Sequence, residues 1–229
     1  MKPWMHQTCT AAAGAGAVAA GVGWAHAAHR LHHRTRQLRI AHRDPVTGLL
    51  TRSGWEHTAP EALRRSSVCG LLDLDGFKQI NDTFGHLSGD HVLRVVARRV
   101  RGMLPVESVF ARLGGDEFVF LAGWDSAEIG VLADELLEAI TASLPLGERA
   151  VRVGCSAGLV LLRDLPNRPV LLREAVTAAD RAMYEAKLFR CGWRRHDPRL
   201  HPDPPTDHCS APPQRVRDHG PQPHLGRTP

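Results

Sequence analysis

Paired cysteines are missing from this sequence. Its five cysteines lie far apart, at Cys9, Cys69, Cys155, Cys191 and Cys209, with no CxxC pair and no repeated spacing. This pattern argues against a zinc site and against a disulfide framework, and it fits a protein of a reducing compartment.

Acidic residues are missing from the first 43 residues, which carry six Lys and Arg. Residues 192–229 add six Arg against four Asp, whereas residues 44–191 hold 17 basic and 20 acidic residues. The formal net charge of +5 therefore belongs to the two ends, and the middle of the chain carries −3. Nucleic-acid binding by the middle is disfavoured, because phosphate contacts require a positive surface.

A long, strongly apolar run is also lacking. Within the leader, residues 1–28, the uncharged stretch 11–28 consists largely of Ala and Gly. It is slightly shorter than the ~20 residues of a spanning helix, so a membrane anchor, a signal peptide and a flexible leader all remain open. If it spans a membrane, the arginines that follow place the rest of the chain inside the cell. Residues 29–43 predict a basic helical linker.

Apolar residues are scarce again at the C-terminus. Residues 192–229 hold nine of the 16 prolines and five of the 14 histidines. We predict a disordered tail, because such a segment cannot bury enough surface to offset the entropy of ordering. Its metal-binding residue types, His196, His201, His208 and Cys209, follow no fixed repeat, so a metal site is disfavoured.

Between residues 44 and 191, helix and strand signals alternate. Four segments have the apolar periodicity of helices: 76–85, 90–102, 125–143 and 171–189. Strands are predicted over 67–76 and over 149–162, the second bent at Gly154 and Gly158, with a hairpin around Gly114 and Gly115. We expect one α/β domain in which helices cover a mixed sheet of roughly five strands.

Three carboxylates stand where predicted strands end. Asp73 and Asp75 share a face under the period of two of a strand, and Asp116 follows the glycine turn. Buried carboxylates are costly unless they are paired or bind a cation. Mg²⁺ is held by one or two carboxylates together with substrate phosphates, so the set predicts a magnesium site. The alternative, a salt-bridged surface cluster, would be favoured for any one acid alone.

A helix is predicted to begin directly after these acids, at Gly76, Phe77 and Lys78. Free N–H groups at a helix start bind anions, Gly76 allows a phosphate to approach the backbone, and Lys78 adds a positive charge. Asn81 and Asp90 then offer an amide and a carboxylate, a pair suited to the edge of a guanine base.

Five blocks of the middle region form one ordered pattern. They are DPVTGLLTR (44–52), LLDLDGFKQINDTFGHLSGDHVL (71–93), RLGGDEF (112–118), CSAGLV (155–160) and ADRAMYEAK (179–187). In order and spacing they resemble the GGDEF family, the bacterial diguanylate cyclases, over about residues 40–190. The resemblance implies the palm-like α/β domain related to class III nucleotide cyclases, with a central mixed five-stranded sheet, surrounding helices and a central β-hairpin.

The resemblance also implies a role for each matching residue. Two Mg²⁺ ions, or Mn²⁺ in their place, would be held by Asp73, the backbone carbonyl of Leu74, and Asp116. The implied catalytic hairpin consists of Gly114, Gly115, Asp116 and Glu117, with Glu117 supporting the metal and acid–base network. The implied substrate-binding residues are Asn81 and Asp90 for guanine, and Gly76, Phe77, Lys78 and Lys187 for the phosphates.

The implied reaction condenses two GTP into cyclic di-GMP and two pyrophosphates, each 3′-hydroxyl attacking the α-phosphate of the other GTP. One domain holds one GTP, so the resemblance implies a homodimer. We expect a cytoplasmic catalytic domain, tethered to the inner face of the membrane if residues 11–28 span it. The alternative function is a catalytically silent GGDEF module that binds GTP or recruits a partner.

Three features depart from the family pattern. The Arg-x-x-Asp site of many members falls on Pro105 and Ser108, so we expect no product inhibition there. The family's phosphate-contacting Arg falls on Cys191, with Arg190 and Arg194 as candidate substitutes. We also expect no sensor domain within residues 1–43, which are too few to fold into one.

Overall fold

The computed structural model describes residues 42–147 and 149–199. The helices of this part are α1 (Arg52–Leu63), α2 (Phe77–Phe84), α3 (His86–Met103), α4 (Ile129–Thr141) and α5 (Leu172–Phe189). The strands are β1 (Val68–Asp73), β2 (Val109–Gly114), β3 (Glu117–Ala122), β4 (Leu144–Leu146), β5 (Arg149–Val151), β6 (Ser156–Leu161) and β7 (Trp193–Arg195).

The strand β1 is the middle of a five-stranded sheet with the order β2-β3-β1-β6-β7. It pairs antiparallel with β3 and with β6, while β6 and β7 are parallel. The predicted mixed five-stranded sheet is thus confirmed. The hairpin of β2 and β3 is central in the chain but lies at one side of the sheet, and β4 pairs with β5 in a separate ribbon.

Both faces of the sheet are buried under helices. Along β1, Leu72 belongs to the apolar cluster that includes Val96 of α3 and Leu136 of α4. Its neighbour Leu71 belongs to the opposite cluster, with Trp55 of α1 and Met183 of α5. Each such side chain contributes about 1.5–3 kcal/mol on full burial. The end of β1 therefore rests on a core packed from both sides.

The helix α5 lies unusually close to β6. A Cβ atom at Gly158 would overlap the carbonyl oxygen of Ala179 and the backbone nitrogen of Met183. The inner face of α5 is correspondingly lined with small side chains, among them Ala175, Ala182 and Ala186. This close packing fixes where the last turn of α5 meets the end of the sheet.

Two predicted elements are shorter than expected. The predicted strand 149–162 is two strands, because the chain leaves the sheet around Gly154, whose carbonyl accepts a 3.0 Å hydrogen bond from the N–H of Asp75. The predicted helix 125–143 begins at Ile129. Its first residues form a turn in which the Asp125 carboxylate accepts from the Ala127 N–H at 2.9 Å, a local bond that competes with helix formation.

Strand β7 follows residue 191, where the sequence predicts the boundary between domain and tail. Trp193 Nε1 donates to Asp134 Oδ1 at 2.7 Å, and the His196 N–H donates to the Leu159 carbonyl at 2.7 Å. The side chain of His196 is buried. The short segment after α5 therefore completes the sheet edge instead of leaving the domain.

The remaining predicted segments lie outside the described residues. These are the leader 1–28, nearly all of the linker 29–43, and the tail from residue 200 onward. Among the residues that are described, no helix is both long and apolar enough to cross a membrane.

One buried ion pair joins the N-terminal loop to the hairpin turn. Arg112 Nη1 donates to both carboxylate oxygens of Asp44 at 3.1 Å. Its Nε and Nη2 donate to the Gly115 carbonyl at 2.9 and 2.7 Å. Both side chains are largely buried, at 13% and 15% exposure. Asp44 also accepts from the Thr47 N–H and hydroxyl, so the turn is held by a chain of hydrogen bonds that starts in the loop.

These contacts shift the pKa of Asp44. Burial alone would raise it, but the hydrogen bonds from Thr47 and the charge of Arg112 outweigh burial and hold the pKa below its ordinary value. A carboxyl with a depressed folded-state pKa contributes stability above its unfolded pKa of about 3.9, and that contribution is lost as the pH falls through the folded-state pKa.

We therefore expect Asp44→Asn to lower the free energy of unfolding at pH 7 by about 1–3 kcal/mol, because Arg112 loses its carboxylate. The difference from wild type should shrink as the pH falls below about 4, where the carboxyl of the unfolded chain becomes protonated, and should keep shrinking until the pH passes the lower folded-state pKa. Urea denaturation at a series of pH values measures both effects.

The matched control is Glu61→Gln, which removes an exposed carboxylate 4.0 Å from Arg65. Its expected cost is below about 0.5 kcal/mol. A pH-independent loss in Asp44→Asn, or a loss no larger than in the control, would contradict the role assigned to the pair.

Candidate active site

Asp73 is the last residue of β1, which is the central strand of the sheet. Its Cα partners are Glu117 on β3 and Ser156 on β6. Its carboxylate oxygen Oδ1 forms an ion pair with Lys187 Nζ at 2.8 Å, and the Asp73 side chain is 13% exposed. The last turn of α5 thus brings a positive charge onto the end of the central strand.

Asp116 supplies the second carboxylate, from the turn between β2 and β3. Its backbone carbonyl accepts a hydrogen bond from the Leu74 N–H at 3.3 Å, which ties the turn to the residue after Asp73. Burial, then the charge of Asp73 and more weakly that of Glu117, raise the pKa of Asp116, while Lys187 acts in the opposite direction. Two negative groups are therefore held close enough to repel each other.

This donor set suits a small divalent cation. In the part of the chain that is described, no group of three or more His, Cys, Asp or Glu is arranged to hold a metal ion. Mg²⁺ does not need one, because it completes its shell with water and substrate phosphates. Asp73, Asp116 and the Leu74 carbonyl therefore fit Mg²⁺ or Mn²⁺ taken up with a phosphate-bearing substrate.

The glycine turn beside Asp116 is open. Gly114 has φ 149° and Gly115 has φ 55°, conformations that side chains disfavour. A Cβ atom at either position would have no neighbour within 4 Å. The predicted hairpin is formed, and its bare backbone is free to approach a ligand.

The start of α2 forms the next wall of the site. Gly76 precedes the helix with φ 76°, and the nearest neighbour of a Cβ there would be 3.8 Å away. The first N–H groups of a helix lack intrahelical partners, which suits them to an anion. The ring of Phe77 is buried, so Phe77 can offer only its backbone, whereas Lys78 is exposed.

Asn81 and Asp90 are brought near each other by the junction of α2 and α3. Gly85, with φ 80°, ends α2 and begins α3. Its N–H donates to the Asn81 carbonyl at 2.9 Å. Both Asn81 and Asp90 are half-buried, and Gly89, the residue before Asp90, packs directly against the Asn81 side chain.

Asp75 does not join the pair formed by Asp73 and Asp116. Because β1 ends at Asp73, the strand period does not extend to Asp75, contrary to the sequence-based argument. Its two carboxylate oxygens accept from Ser156 Oγ at 3.0 and 3.1 Å. Asp75 therefore fastens the loop after β1 to the start of β6.

Sequence reasoning missed the residues that hold the site in place. Arg112, Ser156 and Gly89 contact Gly115, Asp75 and Asn81 respectively, and all three lie inside motifs that the sequence displays. The motifs mark these positions but not their roles. Arg112 is oriented by the distant Asp44 and Ser156 bonds the distant Asp75, while the contact of Gly89 depends on how α2 and α3 pack.

The C-terminal end of the site differs from the family pattern. Cys191 is exposed, and its Sγ lies 3.4 Å from the Trp193 carbonyl. The Arg194 guanidinium stacks over the Phe189 ring at 5.1 Å. Arg190 ends α5 in the left-handed conformation with φ 51°.

Comparison with known proteins agrees with this geometry. A family model described as "Diguanylate cyclase, GGDEF domain" matches residues 41–190. An uncharacterised 19.3 kDa protein of Streptomyces ambofaciens is 37% identical over 171 residues, which is 72% of this chain and 87% of that protein. The diguanylate cyclase TpbB of Pseudomonas aeruginosa is 36% identical over 176 residues, 70% of this chain but 39% of TpbB. Other relatives are named cyclic di-GMP phosphodiesterases.

A solved structure of the isolated GGDEF domain of Pseudomonas aeruginosa TpbB is also similar, with a TM-score of 0.60 and 33% identity. The match covers 69% of this chain and 98% of the solved chain. The family model covers about two thirds of the sequence, including every candidate site residue from Asp73 to Lys187. The chain therefore belongs to the GGDEF family of cyclic di-GMP signalling domains.

Proposed function

We propose that this protein is a diguanylate cyclase, which condenses two GTP into cyclic di-GMP and two pyrophosphates. The observation that carries the proposal is the crowding of Asp73 and Asp116 at one strand end, with Lys187 beside them and the open glycine turn adjacent. Such a cluster is costly unless a cation and phosphates complete it.

The bound nucleotide would contact three parts of the chain. Asn81 and Asp90 would hydrogen-bond the guanine, and the backbone at Gly76 and Phe77 would take the terminal phosphates. Lys187 now neutralises Asp73 at 2.8 Å, so its ammonium can turn to a phosphate once Asp73 has another positive partner. Lys78 adds a second ammonium at the start of α2.

Bond making would occur at the glycine turn. The 3′-oxygen of one GTP would bond to the α-phosphorus of the other, and the bond from that phosphorus to pyrophosphate would break. Metal ions on Asp73, Leu74 and Asp116 would supply charge compensation and activation of the 3′-hydroxyl. Glu117, the strand partner of Asp73, would receive the proton that the hydroxyl loses.

The reaction would require two copies of the chain. Each domain offers one guanine edge and one phosphate cradle, whereas the product contains two linked guanylates. A two-fold symmetric homodimer places two such sites face to face. The open space around Gly114 and Gly115 supports this arrangement. We place the catalytic domain in the cytoplasm, with a membrane tether if residues 11–28 span the bilayer.

A silent GGDEF module is the second candidate, and Cys191 favours it. A thiol stands where the family pattern has a phosphate-contacting Arg, and Arg194 is engaged with Phe189. Arg190, at the end of α5, is the other candidate substitute. A silent module would bind GTP without making product.

Purified full-length protein with GTP and Mg²⁺ should form cyclic di-GMP, measured by chromatography. Asp116→Asn should lower the rate at least ~100-fold, because it removes one of two metal-binding carboxylates. Glu135→Gln, an exposed position on α4, makes the same change of charge away from the site and should leave the rate unaltered. A folded, dimeric wild type that binds GTP and forms no product would favour the silent module.

Product inhibition through the turn 105–108 should be absent. The Arg101 guanidinium donates to the carbonyls of Val106 and Ser108 at 2.7 and 2.9 Å, and neither Pro105 nor Ser108 carries a charge. Added cyclic di-GMP should therefore slow the wild type less than the double variant Pro105→Arg/Ser108→Asp, which restores the family pair. Equal inhibition of the two proteins would contradict this expectation.

A further inference from the structure

Gly89 lies against the side chain of Asn81 without any space between them. It is the fourth residue of α3, and a Cβ atom there would overlap Asn81 Oδ1. The same atom would lie 2.9 Å from Asn81 Cγ and 3.2 Å from Phe77 Cζ. Gly89 is not among the glycines with positive φ. Space, not backbone conformation, is therefore what this position requires.

The residues around this contact are held in place, so the Asn81 side chain is the part that would move. The first turn of α3 is anchored to α2 and the linking residue, since Ser88 Oγ donates to the Phe84 carbonyl at 2.8 Å and the Gly89 N–H donates to Gly85 at 3.2 Å. Phe77 is buried in the core beneath. A methyl group at Gly89 would therefore displace the Asn81 amide, because Asn81 is only half-buried whereas Phe77 is buried.

We propose that Gly89 is a positioning residue for nucleotide recognition. Its missing side chain sets the place of the Asn81 amide beside Asp90, the next residue of α3, so that amide and carboxylate present one hydrogen-bonding edge. Guanine matches that edge because it offers donors to the carboxylate and both donor and acceptor atoms to the amide. The assignment of guanine rests on the proposed function, whereas the contact between Gly89 and Asn81 does not.

The same helix contains a matched control. Gly102 is also in α3, but it is exposed, and a Cβ there would meet nothing within 4 Å. Replacing a helical glycine by alanine removes backbone freedom from the unfolded chain and normally stabilises the helix. Gly102→Ala should therefore raise the melting temperature by about 2–4 °C and leave ligand binding unchanged.

The experiment compares wild type, Gly89→Ala, Gly102→Ala, Asn81→Ala and the double variant Asn81→Ala/Gly89→Ala. Calorimetry with Mg²⁺ measures the binding of 3′-deoxyGTP and 3′-deoxyATP, which lack the hydroxyl needed for condensation. Gly89→Ala should weaken 3′-deoxyGTP binding about 10-fold, the value of one base-reading hydrogen bond, and leave 3′-deoxyATP unchanged. In the Asn81→Ala background, where the amide is gone, adding Gly89→Ala should cost nothing more.

Three results would overturn the inference: Gly89→Ala binding like Gly102→Ala, an equal loss for both nucleotides, or an equal loss with and without Asn81. If wild type binds no 3′-deoxyGTP, the proposed function and the guanine assignment fail together. In that case the melting temperature alone tests the contact between Gly89 and Asn81. Gly89→Ala should melt below wild type, and the double variant should melt no lower than Asn81→Ala.

Discussion

The site depends on the repulsion between two carboxylates at the end of β1. The antiparallel register sets Asp73 opposite Glu117, and the Asp116 carbonyl is bonded to the residue after Asp73. The strand pairing and this hydrogen bond hold the backbone at both Asp73 and Asp116 in place. A positive charge from outside the hairpin must therefore compensate the carboxylates. The close packing of α5 on Gly158 places Lys187 at that point. The packing of α5 therefore also determines the charge balance of the site.

Local chemistry made much of this structure predictable. The glycine turn, the strand before Asp73 and the helix after Gly76 follow from backbone conformation and apolar period, which are properties of neighbouring residues. Strand β7 escaped prediction because its three residues carry no period. It is held by contacts with residues distant in sequence, Trp193 with Asp134 and the adjacent His196 with Leu159. The candidate site residues were predicted from the motif. Arg112 and Gly89, which hold them in place, were not predicted, because their roles depend on the residues that they contact in the fold.

The chain departs from its family at the periphery of the site, not at its centre. The glycines, the acids, Asn81 and Asp90 all match the family pattern, whereas the changes fall on the turn 105–108 and on Cys191. At the turn, Arg101 binds backbone carbonyls in place of a charged partner. At Cys191 a thiol stands where the family pattern has a cation, and the carboxylate pair is unchanged.

The position of β1 in the sheet also has a consequence for synthesis. Val68 pairs with Ala122 on one side and with Leu161 on the other, so both neighbours of this strand leave the ribosome long after it does. Until then the apolar run of β1 exposes two unpaired edges, the condition in which nascent chains associate wrongly. Such distant pairings also slow folding. The strand that carries Asp73 into the site is thus open to wrong pairing while the protein is being made.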